Sequence, residues 1–325
     1  MQQFDGSNHP IHQQVLRAIA LNREPGYHFC GNFLDTVFAD VADGHSRLLL
    51  DPGPQCTNGD GRINIGVLAL LADMGLATSI RSALDRSTRL ATVSLNLQFT
   101  GAARNGRVEA ASVFQCFLED VSGRQGLSQV AVRGGAAGSE LVCFGSGAFM
   151  VLPPPGDKKL HPIPWCDREP PEVTLLRVEE LDPDELWILR HAELSLALSL
   201  AGKVNFINRF LGYEPHPTQG GASCSLVNGP HITNRVGHVQ GGILLGLAAV
   251  TADTALGEHW STSGISACYL SPGEGQMLTA KSEIVHHGRF TAVVRTQVSS
   301  SNGRRVLEVT STHARRADAD QISVA

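Results

Sequence analysis

Two short stretches of this chain carry residues suited to chemistry. The first, Asn234-Arg-Val-Gly-His238-Val-Gln240-Gly241-Gly242, is a polar, glycine-rich loop that runs straight into the apolar segment Ile243–Ala255. Paired glycines at a helix start leave backbone N–H groups unsatisfied and carry a partial positive charge, a place for a carbonyl oxygen or an anion. The second is Asp73, the only charge between Gly66 and Ile80 of another apolar helix. A carboxylate there is desolvated, so its pKa is expected to rise, which suits it to general-base activation of water or to direct attack. Each feature also has a plainer reading: a tight turn before a core helix for the glycines, a structural cap for the acid.

The chain contains the loop twice. Asn58-Gly-Asp-Gly61-Arg-Ile-Asn64-Ile-Gly66 precedes an apolar helix as Asn234 to Gly242 does. Asn58 and Asn234, Gly61 and Gly237, Asn64 and Gln240, and Gly66 and Gly242 are each separated by 176 residues. Downstream, Ala91–Phe99 corresponds to Ser261–Tyr269, and alternating segments follow in the same order in both halves. A period of about half the chain means two copies of one domain. The boundaries read as residues 1–152, a linker over 153–172 holding seven prolines, and residues 173–325.

Elements able to position these residues follow from periodicity and punctuation. Ile11–Leu21 reads as an amphipathic helix, Gly31–Phe38 and Ser46–Leu50 as strands, and 66–84 as the first apolar helix. Strands are expected at 91–99, 107–118, 127–133 and 140–151. The second half reads as a helix over Pro183–Leu200, strands near 204–211 and 222–228, a helix over about 242–258 and four more strands. The fold class is α+β: two curved antiparallel sheets, each wrapped around a long helix that is apolar all round. His191 reads as a core or boundary residue, and His286 and His287 as solvent-facing. Cys116, Cys143, Cys224 and Cys268 read as small core residues in strands.

Composition narrows the function classes. The 325 residues are 42% hydrophobic and 18% charged, with a net charge of −5, as in a soluble protein with two cores. There is no basic stripe for nucleic acid. Seven cysteines without a CxxC pair fit a reducing compartment, so a cytoplasmic location is expected. Neither a signal peptide nor a membrane span is expected. No His/Cys/Asp cluster has metal-ligand spacing, so neither a metal nor a cofactor is expected.

The loops and helices together resemble the hotdog-fold thioesterase superfamily, in particular the PaaI-like acyl-CoA thioesterases. That pattern is Asn-x-x-Gly-x-x-His-Gly-Gly, then an acid seven residues into the helix, then a Ser or Thr opening the next strand. The resemblance covers nearly the whole chain twice and implies a double hotdog, with each site between the halves. It implies that one composite site joins Asp73 and Thr92 to Asn234, Gln240 and Gly241, with Thr92 orienting the carboxylate. Gly242, His238, Asn58, Asn64 and Gly66 are the implied substrate-binding residues, and coenzyme A enters only as part of the substrate. The chain departs from the pattern in a complementary way. The first loop reads Asn64-Ile65-Gly66 where His-Gly-Gly is expected, and the second half has Ala249 at its carboxylate position and Gln240 in place of the His. Asp253, one helical turn past Ala249, is held in reserve as a second acid.

The function implied is hydrolysis of an acyl-CoA thioester. Two other readings stay open: a catalytically silent acyl-CoA-binding protein, given the altered His positions, and a dehydratase using His238. Arg104, Arg107 and Arg289 are candidates for CoA contacts. Hotdog sheets pack edge to edge or face to face, which leaves room for a homo-oligomer.

Overall fold

The computed structural model describes residues 9–102, 105–135, 138–153, 156 and 160–317. Twelve strands form one antiparallel sheet. The first half contributes β1 (Val37–Ala42), β2 (His45–Leu50), β3 (Arg89–Phe99), β4 (Val108–Phe117), β5 (Gln125–Gly134) and β6 (Glu140–Leu152). The second contributes β7 (His216–Thr218), β8 (Gly221–Val227), β9 (Trp260–Tyr269), β10 (Met277–His287), β11 (Thr291–Ser300) and β12 (Arg305–Arg315). Their order is β1-β2-β4-β5-β6-β3-β9-β12-β11-β10-β8-β7, so the second half mirrors the first about the β3–β9 pair. In that seam Ser94 faces Cys268 and Gln98 faces Gly264, and Ser266 Oγ donates to Asn96 Oδ1 at 2.7 Å.

Helix α3 (Ile65–Ser82) packs against β1 to β6, and α6 (Gly241–Leu256) packs against β7 to β12. Asn64 starts α3 by accepting a hydrogen bond from the Gly66 amide at 2.8 Å. α6 begins at Gln240, whose side chain makes no capping bond. The two helices run antiparallel and touch through residues without side chains. A Cβ on Gly242 would stand 2.4 Å from Leu70 Cα, and one on Gly246 would stand 2.6 Å from Gly66 Cα. This contact lets α3 and α6 approach closely enough to place Asp73, one turn beyond Leu70, against the start of α6.

Among the described residues there are four further α-helices: α1 (Pro10–Asn22), α2 (Phe29–Phe33), α4 (Pro183–Leu200) and α5 (Phe206–Leu211). α1 lies against α4, where Arg23 pairs with Glu185 at 2.6 Å and His12 lies 3.4 Å from Glu193. Two expected strands are helices. Phe29–Phe33 winds up because His28 Nδ1 caps it at Gly31 N, 3.1 Å away, and β1 begins only at Val37. Phe206–Leu211 is capped by Asn205 and stopped by Gly212 at φ 80°. Both pieces are short and mostly apolar, and their rings pack together, with Phe33 and Phe210 centroids 4.7 Å apart.

α3 is long and apolar enough to cross a membrane, and 89% of that stretch is buried inside the protein, in keeping with the helix wrapped by its sheet that was expected. Two other expectations need correction. Cys143 and Cys224 are buried, but Cys116 and Cys268 point outward from their strands. Pro164–Cys166 forms a short 3-10 turn that buries Ile163 and Trp165, with Trp165 Nε1 donating to Asn32 Oδ1 at 3.0 Å. His286 and His287 are exposed as expected, and His191 sits half-buried, bonded to the Phe210 carbonyl at 3.0 Å.

Because backbone stands opposite Gly246, Gly246→Val is expected to lower stability by about 3 kcal/mol, at the upper end of overpacking effects. The exposed Val285→Ala should move it by less than about 0.5 kcal/mol. Urea denaturation of both variants checks this, and equal midpoints would remove the helix contact from the argument.

Candidate active site

Asp73 is 6% exposed, on the face of α3 that meets the start of α6. Its Oδ2 accepts the Gly242 amide at 3.1 Å, and its Oδ1 accepts the Thr92 hydroxyl at 3.1 Å. The cap that α6 lacks on its own side is therefore supplied by the other half of the chain. Thr92 comes from β3, the seam strand. A Cβ on Gly241 would lie 2.9 Å from Thr92 Oγ1 and 3.1 Å from Asp73 Oδ2, so only glycine fits there without a shift. The Tyr269 hydroxyl, from β9, donates to the Gly241 carbonyl at 2.7 Å and fixes the helix end from below.

These groups open onto a cavity of about 370 Å³, within the range of small-molecule sites. Asp73, Thr92, Asn234, His238, Gln240 and Gly241 all line it. The Gly241 amide, the first of α6, donates to no group among the described residues. Burial pushes the Asp73 carboxyl up to about 6, against the opposing effects of the Thr92 and Gly242 hydrogen bonds and of Arg81. Burial and Asp73 together raise Tyr269 well above its ordinary value, so it stays a neutral donor.

The remaining expected residues divide. Asn234 Oδ1 accepts from the Val236 and His238 amides at 3.0 and 3.1 Å, which shapes the loop. His238 Nε2 lies 3.0 Å from Glu274, and burial lowers its pKa. The Gly242 amide is occupied by Asp73 and so is not free for a ligand oxygen. Asn58, Asn64 and Gly66 do not line the cavity. Asn64 Nδ2 donates to Asn58 and Asn208, its Oδ1 caps Gly66, and the Tyr213 ring would lie 2.4 Å from a Cβ on Gly66. The first loop is thus closed by its own hydrogen bonds and by an aromatic plug. Of the three arginines considered for CoA, Arg107 is held by Asp51, Arg289 lies over Phe290, and Arg104 is outside the described residues.

At the position related by pseudo-symmetry, Ala249 is buried and apolar. Asp253, one turn further, accepts the Thr262 hydroxyl at 2.6 Å and lies 3.4 Å from His313. Its cleft is only about 60 Å³. The Thr–Asp pair therefore recurs there without a helix amide to receive it. Sequence reasoning did not single out Tyr269, Arg81, Arg235 or His28, which also line the larger cavity. Tyr269 ends the strand that matches Ala91–Phe99, a signal that was available; the other three are brought in by tertiary packing.

Asp73 ties pH to stability. Its folded-state pKa of about 6 lies above the ordinary 3.8, so the folded state binds this proton more tightly than the unfolded chain. The resulting stability is fully present below about pH 4 and is lost as pH rises through about 6. Asp73→Asn keeps an oxygen for Gly242 and removes the ionisation. Relative to wild type, it should gain roughly 2–3 kcal/mol between pH 4 and pH 8. Thermal melts of both proteins across that range check this; a variant-minus-wild-type stability that does not rise with pH would refute it.

No family model and no curated protein sequence matches the chain. Among solved structures it is similar to a Lactobacillus plantarum protein described as an oleoyl thioesterase. The two are 10% identical, the match covers 84% of this chain and 96% of that one, and the TM-score is 0.52. It is equally similar to the 12:0-ACP thioesterase of Umbellularia californica, at 10% identity, 84% and 95% coverage and TM-score 0.52. A Bacillus halodurans protein whose structure includes CoA is 23% identical over 43% of this chain and 98% of its own, with TM-score 0.40.

Proposed function

On the premise that the chain has the fold of the hotdog thioesterase superfamily, we propose that it hydrolyses the thioester of an acyl-CoA. Each half is read as one hotdog, with α3 and α6 as the central helices. The observation that carries the reading is the meeting of Asp73, from one half, with the glycine start of α6 from the other at the wall of one cavity, where the Gly241 amide has no partner among the described residues.

In this reading the thioester carbonyl oxygen lies on the Gly241 N–H, at the positive end of α6. Ionised Asp73 takes a proton from a water, which attacks the carbonyl carbon. The C–S bond of the tetrahedral intermediate then breaks while protonated Asp73 passes its proton to the leaving sulfur, giving a carboxylic acid, the CoA thiol and the ionised carboxylate again. Both Asp73 oxygens already accept one hydrogen bond, which holds the carboxylate still and leaves a lone pair for a water. The Gln240 side chain, 8% exposed and facing the cavity, is placed to hold that water or the carbonyl. Thr92 orients the carboxylate and keeps its pKa from climbing further.

A second reading has an observation of its own: Asp73 is held as the cap of α6, which suits a protein that binds acyl-CoA without cleaving it. Free-thiol release from a panel of acyl-CoAs separates the two. The hydrolase should release thiol, with kcat/KM rising as pH passes through about 6, where Asp73 ionises. Asp73→Ala should reduce the rate by at least about a hundredfold, in the range of general-base contributions. Thr92→Val should cost about tenfold and move the pH midpoint upward, as a hydrogen bond to a charged group is lost. Thermal stabilisation by acyl-CoA with no thiol release would establish the silent binder.

A further inference from the structure

Part of the cavity wall plays no role in that hydrolytic step. Asp73, Ala77 and Arg81 stand on successive turns of one face of α3, and all three line the cavity. Eight residues advance a helix by about 12 Å, so this wall runs from the proposed base to a guanidinium. Arg81 is 9% exposed. Its Nε donates to the Thr88 carbonyl at 3.1 Å, and no carboxylate among the described residues lies within ion-pair distance of it.

Along with Arg89, which opens β3, the guanidinium of Arg235 lines the same cavity from the loop before α6. Its Nη1 donates to the His161 carbonyl at 2.7 Å, and it too has no carboxylate partner among the described residues. The two cations interact unfavourably: burial, and then Arg235, holds Arg81 down at about 10, and burial lowers Arg235 as well. Asp73 is the only acidic residue of the lining among the described residues, and its two oxygens are already engaged. Partly buried like charges without a counter-ion are costly. An occupant that brings a negative charge relieves that cost.

We propose that Arg81 and Arg235 form a subsite for a carboxylate at the far end of the acyl group, so that the substrate is the CoA thioester of a short dicarboxylic acid. This rests on the thioester reading above and narrows it. The phosphates of the carrier offer the same charge, but the pantetheine arm separates them from the thioester. Arg81 is held at the Thr88 carbonyl, just before the strand that carries Thr92, so it borders the same cavity as Asp73 about 12 Å further along α3. A short carboxylated acyl chain bridges that interval.

The test compares glutaryl-CoA with valeryl-CoA and adipyl-CoA with hexanoyl-CoA, each pair matched in chain length, using the full chain. Each thioester is also tested with N-acetylcysteamine as a carrier without phosphate. A preference for the carboxylated member of about 10- to 100-fold in kcat/KM, as for a charge-assisted hydrogen bond, is expected on both carriers. Arg81→Met and, independently, Arg235→Met should bring that ratio toward one, with Arg81→Lys recovering part of it. Equal rates within each pair would overturn the subsite while leaving the hydrolase standing. A loss on CoA thioesters alone, absent with N-acetylcysteamine, would assign the arginines to phosphate and also overturn it. If no thioester releases thiol, the hydrolase falls and binding decides the subsite: equal Kd for glutaryl-CoA and valeryl-CoA by calorimetry overturns it, and tighter binding of glutaryl-CoA sustains it.

Discussion

A carboxylate from one half of the chain ends the helix of the other half, and the rest of the site is arranged around that contact. α6 starts without a side-chain cap of its own, and Asp73 accepts the Gly242 amide in its place. The geometry depends on missing atoms. Gly242 rests on Leu70 and Gly246 on Gly66, so two apolar helices approach at backbone distance. Any side chain at those points would lift α6 away from α3 and leave both the acid and the amide without a partner, in a site too dry to compensate them.

The electrostatics of the cavity follow from the same burial. A helix N-terminus and a hydroxyl donor favour the charged carboxylate, while burial against the apolar wall opposes it and prevails, leaving Asp73 at about 6. Burial acts in the opposite direction on the basic groups nearby: His28 is held at about 3 and is therefore neutral, and Arg81 is weakened but remains charged at neutral pH. The lining of one desolvated pocket thus includes an acid poised near neutrality, the neutral imidazole of His28 and two guanidiniums weakened by burial, Arg81 and Arg235. That distribution is polarised along α3, with the acid at one end of the wall and positive charge at the other.

Much of the architecture could be read in advance because it is written in periods. The constant offset between the two loops fixed the register of the helices, and the register alone distinguished Asp73 from Ala249. The positions of Thr92, Asn234, Gln240 and Gly241 around one cavity follow from the same alignment. What failed was local and short. Phe29–Phe33 and Phe206–Leu211 are mostly apolar pieces of five and six residues, too brief for their period to distinguish a turn of helix from a strand. The caps His28 and Asn205, which settle the matter, look unremarkable as letters. The first loop was assigned to substrate because its pattern matched, but Tyr213 and Asn208, far along the chain, close it. Arg81 and Arg235 lie 154 positions apart and meet only through packing, so no spacing rule links them.

The seam between β3 and β9 makes the two halves parts of one molecule. Two separate copies would have to find each other, and the population of assembled sites would fall on dilution. A tether replaces that encounter with a fixed effective concentration, so the junction of acid and glycine persists however scarce the protein is. It also frees the halves from identity. In a symmetric pair every substitution is made twice, whereas here an aspartate at 73 and an alanine at 249 coexist, and one end of the molecule can be filled with tyrosine while the other stays open.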